Sequence, residues 1–177
     1  MSTVSDSRIA ARVRIVETHV GCENSHDLDG IIATFGAAAY YDDEPWEAHY
    51  VNHDGVRAFY AEMLRALPDF QIDVRRRHVG EDAIVLEVII RGTHLGTWRG
   101  LPATGRRIEF PLCGVFTFDD EDRLAGERIY YDRATMLRHA GVFHEPRGTF
   151  GRVATALSHP VTLLRLAGRM IAERVRP

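Results

Sequence analysis

The segment Gly92–Gly141 constrains the fold more than any other part of the chain. It starts with a connection punctuated by glycine and proline, GTHLGTWRGLPATGR, and ends with the run ERIYYDRATMLRHAG. Between them lie an apolar run, Ile108–Phe118, and an acidic turn, Asp119–Asp122. The pattern predicts a strand over Ile108–Phe118, a last strand over Leu124–Tyr131 beside it and a short closing helix that ends at Gly141.

Three helices are predicted before this segment. The first ends at Gly21, and the second runs from Asp27 to Gly36. The third carries a continuous apolar stripe from Asp54 to Pro68. The stretch between the second and third helices is predicted to be irregular.

Strands follow the helices. Alternating residues after Pro68 predict a half-buried strand that continues through Arg75–Arg77 along a solvated edge, and Ala83–Ile90 predicts a buried strand. Helices followed by a run of strands favour an α+β fold with an antiparallel sheet.

Composition restricts the class of protein. The 177 residues suffice for one domain with its own core, and 45% of them are hydrophobic. No lysine occurs among the 22 basic residues, which excludes Schiff-base chemistry and a lysine base. The two cysteines, Cys22 and Cys113, are predicted on elements of different type, so a reducing compartment is expected. No secretory signal or membrane-spanning run is recognisable, and the predicted location is the cytoplasm.

Charge divides the chain into two predicted parts. Residues 146–177 hold six arginines and one glutamate, a net charge of +5, whereas residues 1–145 carry −8 of the total of −3. An acidic body argues against nucleic-acid binding. We expect a domain over 1–145 and a basic amphipathic helical C-terminal extension over 146–177. This extension is expected to dock across an acidic body, its own or a partner's, and the alternative is an anionic membrane surface.

Three motifs in order resemble those of the SnoaL-like polyketide and ester cyclases, in the nuclear transport factor 2-like superfamily. They are ALPDF at 66–70, GTWRGLPATGR at 96–106 and YYDRATMLRHAG at 130–141, and the resemblance spans about residues 8–143. It implies a cone-shaped curved antiparallel sheet capped by helices, with an apolar pocket for a hydrophobic small molecule. It also implies a homodimer through the outer face of the sheet.

The resemblance further implies a mechanism. In such cyclases a pocket aspartate on the last strand and a histidine on the neighbouring strand act as general acid and base. They close a ring by intramolecular aldol condensation without a metal or cofactor, so neither is expected here. In this sequence the aspartate position falls on Ile129 and the histidine position on Gly114. The family's catalytic pair is therefore absent.

The alternation of side chains along the last strand indicates which residue could replace the missing aspartate. If Ile129 faces the pocket, Glu127 and Tyr131 face it too, while Arg128 faces away. An apolar pocket disfavours the charged form of a carboxyl group, which suits Glu127 to proton transfer near neutral pH. The alternative for Glu127 is an ion pair at the rim with Arg128 or Arg91.

Tyr131 and Asp132 are the assisting catalytic candidates. The Tyr131 hydroxyl is a suitable hydrogen-bond donor to a substrate carbonyl, and the alternative is a wall residue bonded to the backbone. Asp132 precedes the predicted closing helix, so an N-cap role is the alternative to catalysis.

Aromatic, apolar and histidine side chains are expected to line the pocket or its lid. They are Tyr40, Trp46, His49, His94, Trp98, Phe110, Leu112, Phe116 and Ile129. Packing between the second helix and the sheet is the alternative for Tyr40 and Trp46, and a structural role for His94. The spacing of His49 and His53 is not expected to bind a metal, because no third ligand is placed.

Two functions remain open from the sequence. One is a cofactor-independent enzyme, a cyclase, isomerase, dehydratase or hydrolase, that acts on a hydrophobic carbonyl compound through Glu127. The other is a non-catalytic binding protein of the same fold. An available carboxylate beside a tyrosine hydroxyl in the pocket would favour the enzyme.

Overall fold

The computed structural model describes residues 5–145, 148–158 and 160–161, and the chain divides into two compact units, Met1–Ala140 and Gly141–Pro177. The helices of the first unit are α1 (Asp6–Ser25), α2 (Leu28–Ala33), α3 (Asn52–Ala66) and α4 (Arg133–His139). Its strands are β1 (Phe35–Asp43), β2 (Ala48–Val51), β3 (Gln71–Val79), β4 (Ala83–Thr93), β5 (Arg107–Phe118) and β6 (Leu124–Tyr131). Helix α5 (Gly148–Ser158) lies in the second unit.

The six strands form one curved sheet in the order β2-β1-β6-β5-β4-β3. Irregularities of register occur in the β1/β6, β3/β4 and β5/β6 pairs, and such bulges bend and twist a sheet. The predicted α+β class is confirmed. The sheet is mixed rather than wholly antiparallel, because β1 pairs with β6 in parallel.

Strands β1 and β2 occupy the stretch that was predicted to be irregular. The sequence of β1, FGAAAYYDD, is rich in alanine, glycine and aspartate, which have low strand propensity. Its place in the sheet comes from long-range pairing: Tyr41 lies opposite Glu127, and Asp43 opposite Ile129. Local sequence does not encode this pairing.

Helix α1 continues past Gly21, where the sequence predicted its end. The helix stops four residues later at Ser25, and His26 takes the left-handed conformation at the C-cap. The extra turn carries Glu23 on the buried side of the helix, in line with Val16 and Val20.

The second helix is shorter than predicted, since α2 ends at Ala33 and Gly36 belongs to β1, whereas the remaining predicted elements of the first unit agree with the structure. Helix α3 buries its apolar stripe and ends before Pro68, and β6 alternates between buried and exposed residues. Asp132 caps α4, since its carboxylate accepts hydrogen bonds from the Ala134 amide at 2.9 Å and the Thr135 hydroxyl at 2.6 Å.

The second unit shows only part of the predicted extension. Helix α5 exposes Phe150, Val153 and Leu157. The basic helix predicted to begin at Pro160 lies almost entirely outside the described residues. In the part of the chain that is described, no helix is long and apolar enough to cross a membrane.

Gly96 lies where the connection between β4 and β5 touches the end of α3. The amides of Leu95 and Gly96 both donate to the Ala66 carbonyl, at 2.9 and 3.1 Å. A Cβ atom at position 96 would stand 2.4 Å from the Arg65 carbonyl oxygen, which is backbone and cannot swing away. The absence of a side chain at this position therefore lets the connection dock on α3.

Substituting Gly96 with alanine is expected to lower the free energy of unfolding by about 1–3 kcal/mol, because the docked backbone must move. Chemical denaturation measures this change. Gly21→Ala is the matched control: a Cβ atom at position 21 would meet no atom within 4 Å, and an alanine inside α1 should raise stability by up to about 1 kcal/mol. Equal effects at the two positions would contradict the packing described.

Candidate acid–base site

A cavity lies on the inner face of the sheet, between the sheet and helices α1 and α3. Its empty volume, which includes open solvent at the mouth, is about 550 Å³. Most of its wall is apolar. Trp98, Phe110, Leu112, Phe116 and Ile129, all predicted as pocket residues, line it, together with Tyr41, Phe59 and Met63.

Two carboxyl groups interrupt the apolar wall. Glu127 comes from β6 and Glu23 from α1, and each residue is only 4% exposed. Glu127 points inward with Ile129 and Tyr131, as strand alternation predicts. The alternative ion pairs for Glu127 are not formed, because Arg128 pairs with Asp42 and Glu44 on the outside of the sheet. Arg91 likewise pairs with Asp73 and Glu109.

Glu127 belongs to a buried network with His19 and Tyr60. The Tyr60 hydroxyl donates to Glu127 Oε2 at 2.8 Å, and His19 Nε2 lies 3.0 Å from the same hydroxyl and 3.3 Å from Glu127 Oε2. Glu23 Oε2 lies 3.8 Å from His19 Nε2. His19 and Tyr60 are completely buried, so the network is shielded from bulk water.

The hydrogen-bond partners of His19 suit a protonated ring. The Thr34 hydroxyl donates to the Ile31 carbonyl at 2.6 Å, so Thr34 Oγ1 accepts from His19 Nδ1 at 2.7 Å. The Tyr60 hydroxyl gives its proton to Glu127 and can therefore accept from His19 Nε2. Both ring nitrogens are thus placed to donate, an arrangement that fits an imidazolium ion. Burial alone would lower the pKa of His19, but Glu23 and Glu127 together raise it.

Glu23 is the acid of the network. Burial raises the pKa of its carboxyl group to about 8, although His19 opposes this shift. Glu23 is therefore mostly protonated at neutral pH. The network thus sets a neutral carboxylic acid beside a hydrogen-bonded carboxyl group and a histidine cation.

The second oxygen of Glu127 is left open toward the cavity. Oε1 has no hydrogen-bond partner among the described residues, and it stands 3.5 Å from where a Cβ at Gly114 would be. Gly114 pairs with Ile129 across the β5/β6 ladder. The missing side chain at Gly114 leaves room beside Glu127.

Tyr131 lies in a different polar cluster. It lines the same cavity, but no hydrogen bond joins it to Glu127 in the described structure. Burial and the nearby charge of Asp43 raise the pKa of Tyr131. Asp43, fully buried, forms an ion pair of 2.6 Å with Arg99. The structure therefore separates Tyr131 from the carboxyl group that it was expected to assist.

Several other predicted residues lie away from the main cavity. Asp132 is exposed at the start of α4, where capping accounts for its bonds and lowers its pKa. Tyr40 bonds to Thr117 at 2.9 Å with its ring over Gly126, and His49 is exposed beside Asp42. None of these three predicted residues lines the cavity.

Trp46 and His94 line a smaller cavity of about 270 Å³ next to the main one. Trp98 borders both cavities. His94 Nδ1 bonds to the Thr104 hydroxyl at 3.1 Å, and burial lowers the pKa of His94. The predicted alternative of a structural role is consistent with these contacts.

His19, Glu23 and Glu127 form the one group of three or more metal-ligating side chains found among the described residues. Their ligand atoms lie within 4.8 Å of one another, and imidazole with carboxylate oxygens is a common donor set. However, His19 Nε2 and Glu127 Oε2 both already contact the Tyr60 hydroxyl. A metal ion would have to displace this hydroxyl, so the observed bonds favour proton sharing.

Sequence reasoning missed His19, Glu23 and Tyr60. His19 and Tyr60 were treated as parts of ordinary helices, and Glu23 lies beyond the predicted end of the first helix. The spacing in the sequence could have indicated that two of these residues are buried. His19 and Glu23 lie three and seven residues after Val16, on the apolar side of α1. Ionisable side chains at such positions must be paired when buried.

Glu23→Gln tests the raised pKa. The native protein keeps the Glu23 proton between its ordinary pKa of 4.5 and its raised pKa of about 8, where the unfolded chain releases it. The stabilisation linked to this proton is complete below the lower value and is lost as pH rises through the upper one. The stability of Glu23→Gln relative to wild type should therefore rise by at least about 1 kcal/mol from about pH 5 to about pH 8.5.

Denaturation at each pH measures this difference. Glu17→Gln, on an exposed part of the same helix, is the control and should follow the wild-type profile. Parallel profiles for Glu23→Gln and wild type would show that Glu23 titrates normally.

Comparison with known proteins supports the fold and identifies the family. Residues 13–140 match the model of the SnoaL-like polyketide cyclase family. No curated protein sequence matches the chain significantly.

Solved structures resemble the chain at low sequence identity. AclR, a putative hydroxylase from Streptomyces galilaeus, is 24% identical with a TM-score of 0.65, over 75% of this chain and 97% of its own. A putative polyketide cyclase from Xanthomonas campestris is 15% identical with a TM-score of 0.68, over 75% and 98%. An epoxide hydrolase of the LEH-like type from M. tuberculosis is 20% identical with a TM-score of 0.61, over 85% and 97%.

These likenesses show a shared fold, and a crystal structure described as having a ketosteroid isomerase-like fold also matches, with a TM-score of 0.63. The family match covers most of the chain and includes the cavity and the acid–base network. The chain is a member of the SnoaL-like polyketide cyclase family.

Proposed function

We propose that the protein is a cofactor-independent enzyme that moves a proton on a hydrophobic carbonyl compound, with Glu127 as base and Glu23 as acid. The observation that carries this proposal is the pairing of Glu127 with a protonated neighbour inside an apolar cavity. Glu23 has a pKa of about 8, while Glu127 Oε1 is open toward the cavity. Pairs of carboxyl groups with different protonation states are suited to acid–base catalysis.

The first step would be removal of a proton next to the carbonyl. Glu127 Oε1 takes the proton from the α-carbon, and the C–H electron pair forms the carbon–carbon double bond of an enolate. The carbonyl oxygen receives the negative charge and accepts the proton of Glu23. Tyr60 and His19 hold Glu127 Oε2 and so keep the carboxyl group oriented for this transfer.

The enol can then react in two ways. Its α-carbon attacks a second carbonyl carbon in the same molecule, the enol proton returns to Glu23, and the oxygen of the attacked carbonyl takes the proton from Glu127, which closes a ring as in an aldol cyclisation. Alternatively, in a β,γ-unsaturated ketone, Glu127 gives its proton to the γ-carbon of the dienol while the enol proton returns to Glu23, which gives an isomerisation. The apolar wall of Phe110, Phe116 and Ile129 excludes water, which strengthens the interactions of the two carboxyl groups.

Epoxide opening is a second candidate because it needs the same pair of groups. Glu23 would protonate the epoxide oxygen while Glu127 activates the attacking hydroxyl group. Two solved structures with similar folds carry names of this kind, an epoxide hydrolase/cyclase-like enzyme and an LEH-like epoxide hydrolase. The protonated state of Glu23 is the observation that favours this candidate.

A purely binding role is less consistent with the buried network. An apolar ligand requires an apolar cavity, but it does not require two carboxyl groups and a histidine within it. Burying ionisable groups costs stability unless they are paired, and perturbed groups in a cavity are characteristic of active sites. Glu127 also lies beside the Tyr60 hydroxyl at 2.8 Å.

Exchange of the α-hydrogens of a test ketone for deuterium measures proton removal and does not require the natural substrate to be known. We expect the wild-type protein to speed the exchange of the methyl hydrogens of 4-acetylbiphenyl in deuterium oxide, measured by mass spectrometry. Glu127→Gln should lower the exchange rate by at least about 100-fold, since the base is lost. The affinity for the ketone should change little, because glutamine keeps the size of the side chain.

The matched control is Glu87→Gln, a half-exposed glutamate that pairs with His78 outside the cavity, and it should exchange at the wild-type rate. The rate should also be unchanged by a metal chelator. Equal exchange by wild type and Glu127→Gln would refute the role of Glu127 as base.

A further inference from the structure

We propose that Thr34 is a positioning residue for the acid–base network. Its hydroxyl oxygen fixes a proton on Nδ1 of His19 and leaves Nε2 as the ring nitrogen that takes up and returns protons. The inference rests on the proposed function, because it concerns how the same network is kept ready for proton transfer. Thr34 lines neither the main cavity nor the smaller one beside it, so any effect on a substrate passes through His19.

The Thr34 hydroxyl can bond to His19 in only one direction. Thr34 Oγ1 donates its single proton to the Ile31 carbonyl at 2.6 Å. The same oxygen lies 2.7 Å from His19 Nδ1 and, because its proton is already used, it acts there as the acceptor. His19 Nδ1 is therefore the donor of this bond. The bond made by one ring nitrogen of a histidine sets which nitrogen carries the proton.

Thr34 is held in place from several sides. It is the C-cap residue of α2 and is buried, and its backbone amide donates to the Ile31 carbonyl at 3.1 Å. Its backbone carbonyl accepts from the Leu124 amide, the first residue of β6, at 3.2 Å. The hydroxyl oxygen is therefore a fixed acceptor at the junction of α2, β1 and β6.

Aromatic rings fix the orientation of the His19 ring. Phe35 and Phe116 meet it edge-on, with ring centroids 5.3 and 5.8 Å from its own. With Nδ1 bonded to Thr34, the opposite nitrogen is directed at the ionisable groups. His19 Nε2 lies 3.0 Å from the Tyr60 hydroxyl and 3.3 Å from Glu127 Oε2. One ring nitrogen thus anchors the ring, and the other faces the network.

A proton fixed on Nδ1 determines what Nε2 can do. Three titratable side chains face Nε2, namely Glu23 from α1, Tyr60 from α3 and Glu127 from β6. When Nε2 also carries a proton, the ring is a cation beside Glu127. When Nε2 releases that proton, it becomes an acceptor for the Tyr60 hydroxyl. The ring therefore gains and loses a proton at one atom, beside the proposed base, as positioned proton transfer requires.

Nitrogen-15 magnetic resonance of His19 in the full chain tests the proposal without any substitution at Thr34. We expect Nδ1 to keep its proton at every pH at which the chain is folded, so that a rise in pH removes a proton from Nε2 alone. The His19 signals are those missing from the spectrum of His19→Gln. A wild-type ring that loses the Nδ1 proton and keeps the Nε2 proton would overturn the proposal.

Thr34→Val removes the acceptor and keeps the shape of the side chain. The proton affinity of the His19 ring should fall at least about 10-fold, and the neutral ring should keep its proton on Nε2. Exchange of the α-hydrogens of 4-acetylbiphenyl should slow about 10-fold at neutral pH with KM unchanged, because Glu127 loses a neighbouring cation that favours its charged form. The rate should recover at higher pH, which a purely structural role would not produce.

Two variants serve as controls. Thr34→Ser keeps the hydroxyl group and should retain both the Nδ1 proton and the wild-type exchange rate. Thr18→Val removes an exposed hydroxyl group that bonds to the Arg14 carbonyl at 2.9 Å in α1, and it should behave as wild type.

A wild-type His19 ring in Thr34→Val, or equal effects of Thr34→Val and Thr34→Ser, would overturn the role of Thr34. Absence of exchange by the wild-type protein would instead refute the proposed function, and the protons on the ring nitrogens would still decide whether Thr34 positions His19.

Discussion

The arrangement of the site depends on the burial of two carboxyl groups around one imidazole. A lone carboxylate in an apolar interior is strongly destabilising, so the protein has to supply compensation. It does so with one cation, His19, and with a proton retained on Glu23. Tyr60 completes the network by contacting both His19 and Glu127. The same compensation leaves an acid and a prospective base side by side.

The topology of the sheet brings these groups together. The three partners of Glu127 come from α1 and α3, which lie on the inner face, while the parallel pairing of β1 with β6 puts Tyr41 beside Glu127. The pairing also sets Asp43 beside Ile129, one step from Tyr131 on the same face. The cavity therefore has an ionisable cluster near Glu127, and the rest of its wall is mainly apolar.

Sequence alone predicted the parts of this arrangement that follow from local periodicity. The alternation of side chains along β6 predicted that Glu127 points inward. The capping preference of aspartate supplied the N-cap alternative for Asp132, which the structure shows. The strand β1 could not be predicted, because its pairing with β6 is long-range and its residues are poor strand formers. The roles of His19 and Glu23 depend on what α1 packs against, which the spacing of apolar residues does not reveal. The homodimer and the docking of the basic extension remain predictions.

The central claim concerns where the protons lie in the buried network, and nuclear magnetic resonance of the labelled side chains measures this directly. At neutral pH both ring nitrogens of His19 should carry protons, and a glutamate carboxyl resonance should titrate near pH 8 in wild type but be missing in Glu23→Gln. A neutral His19 ring at this pH, with every glutamate carboxyl group titrating at its ordinary value, would contradict the account.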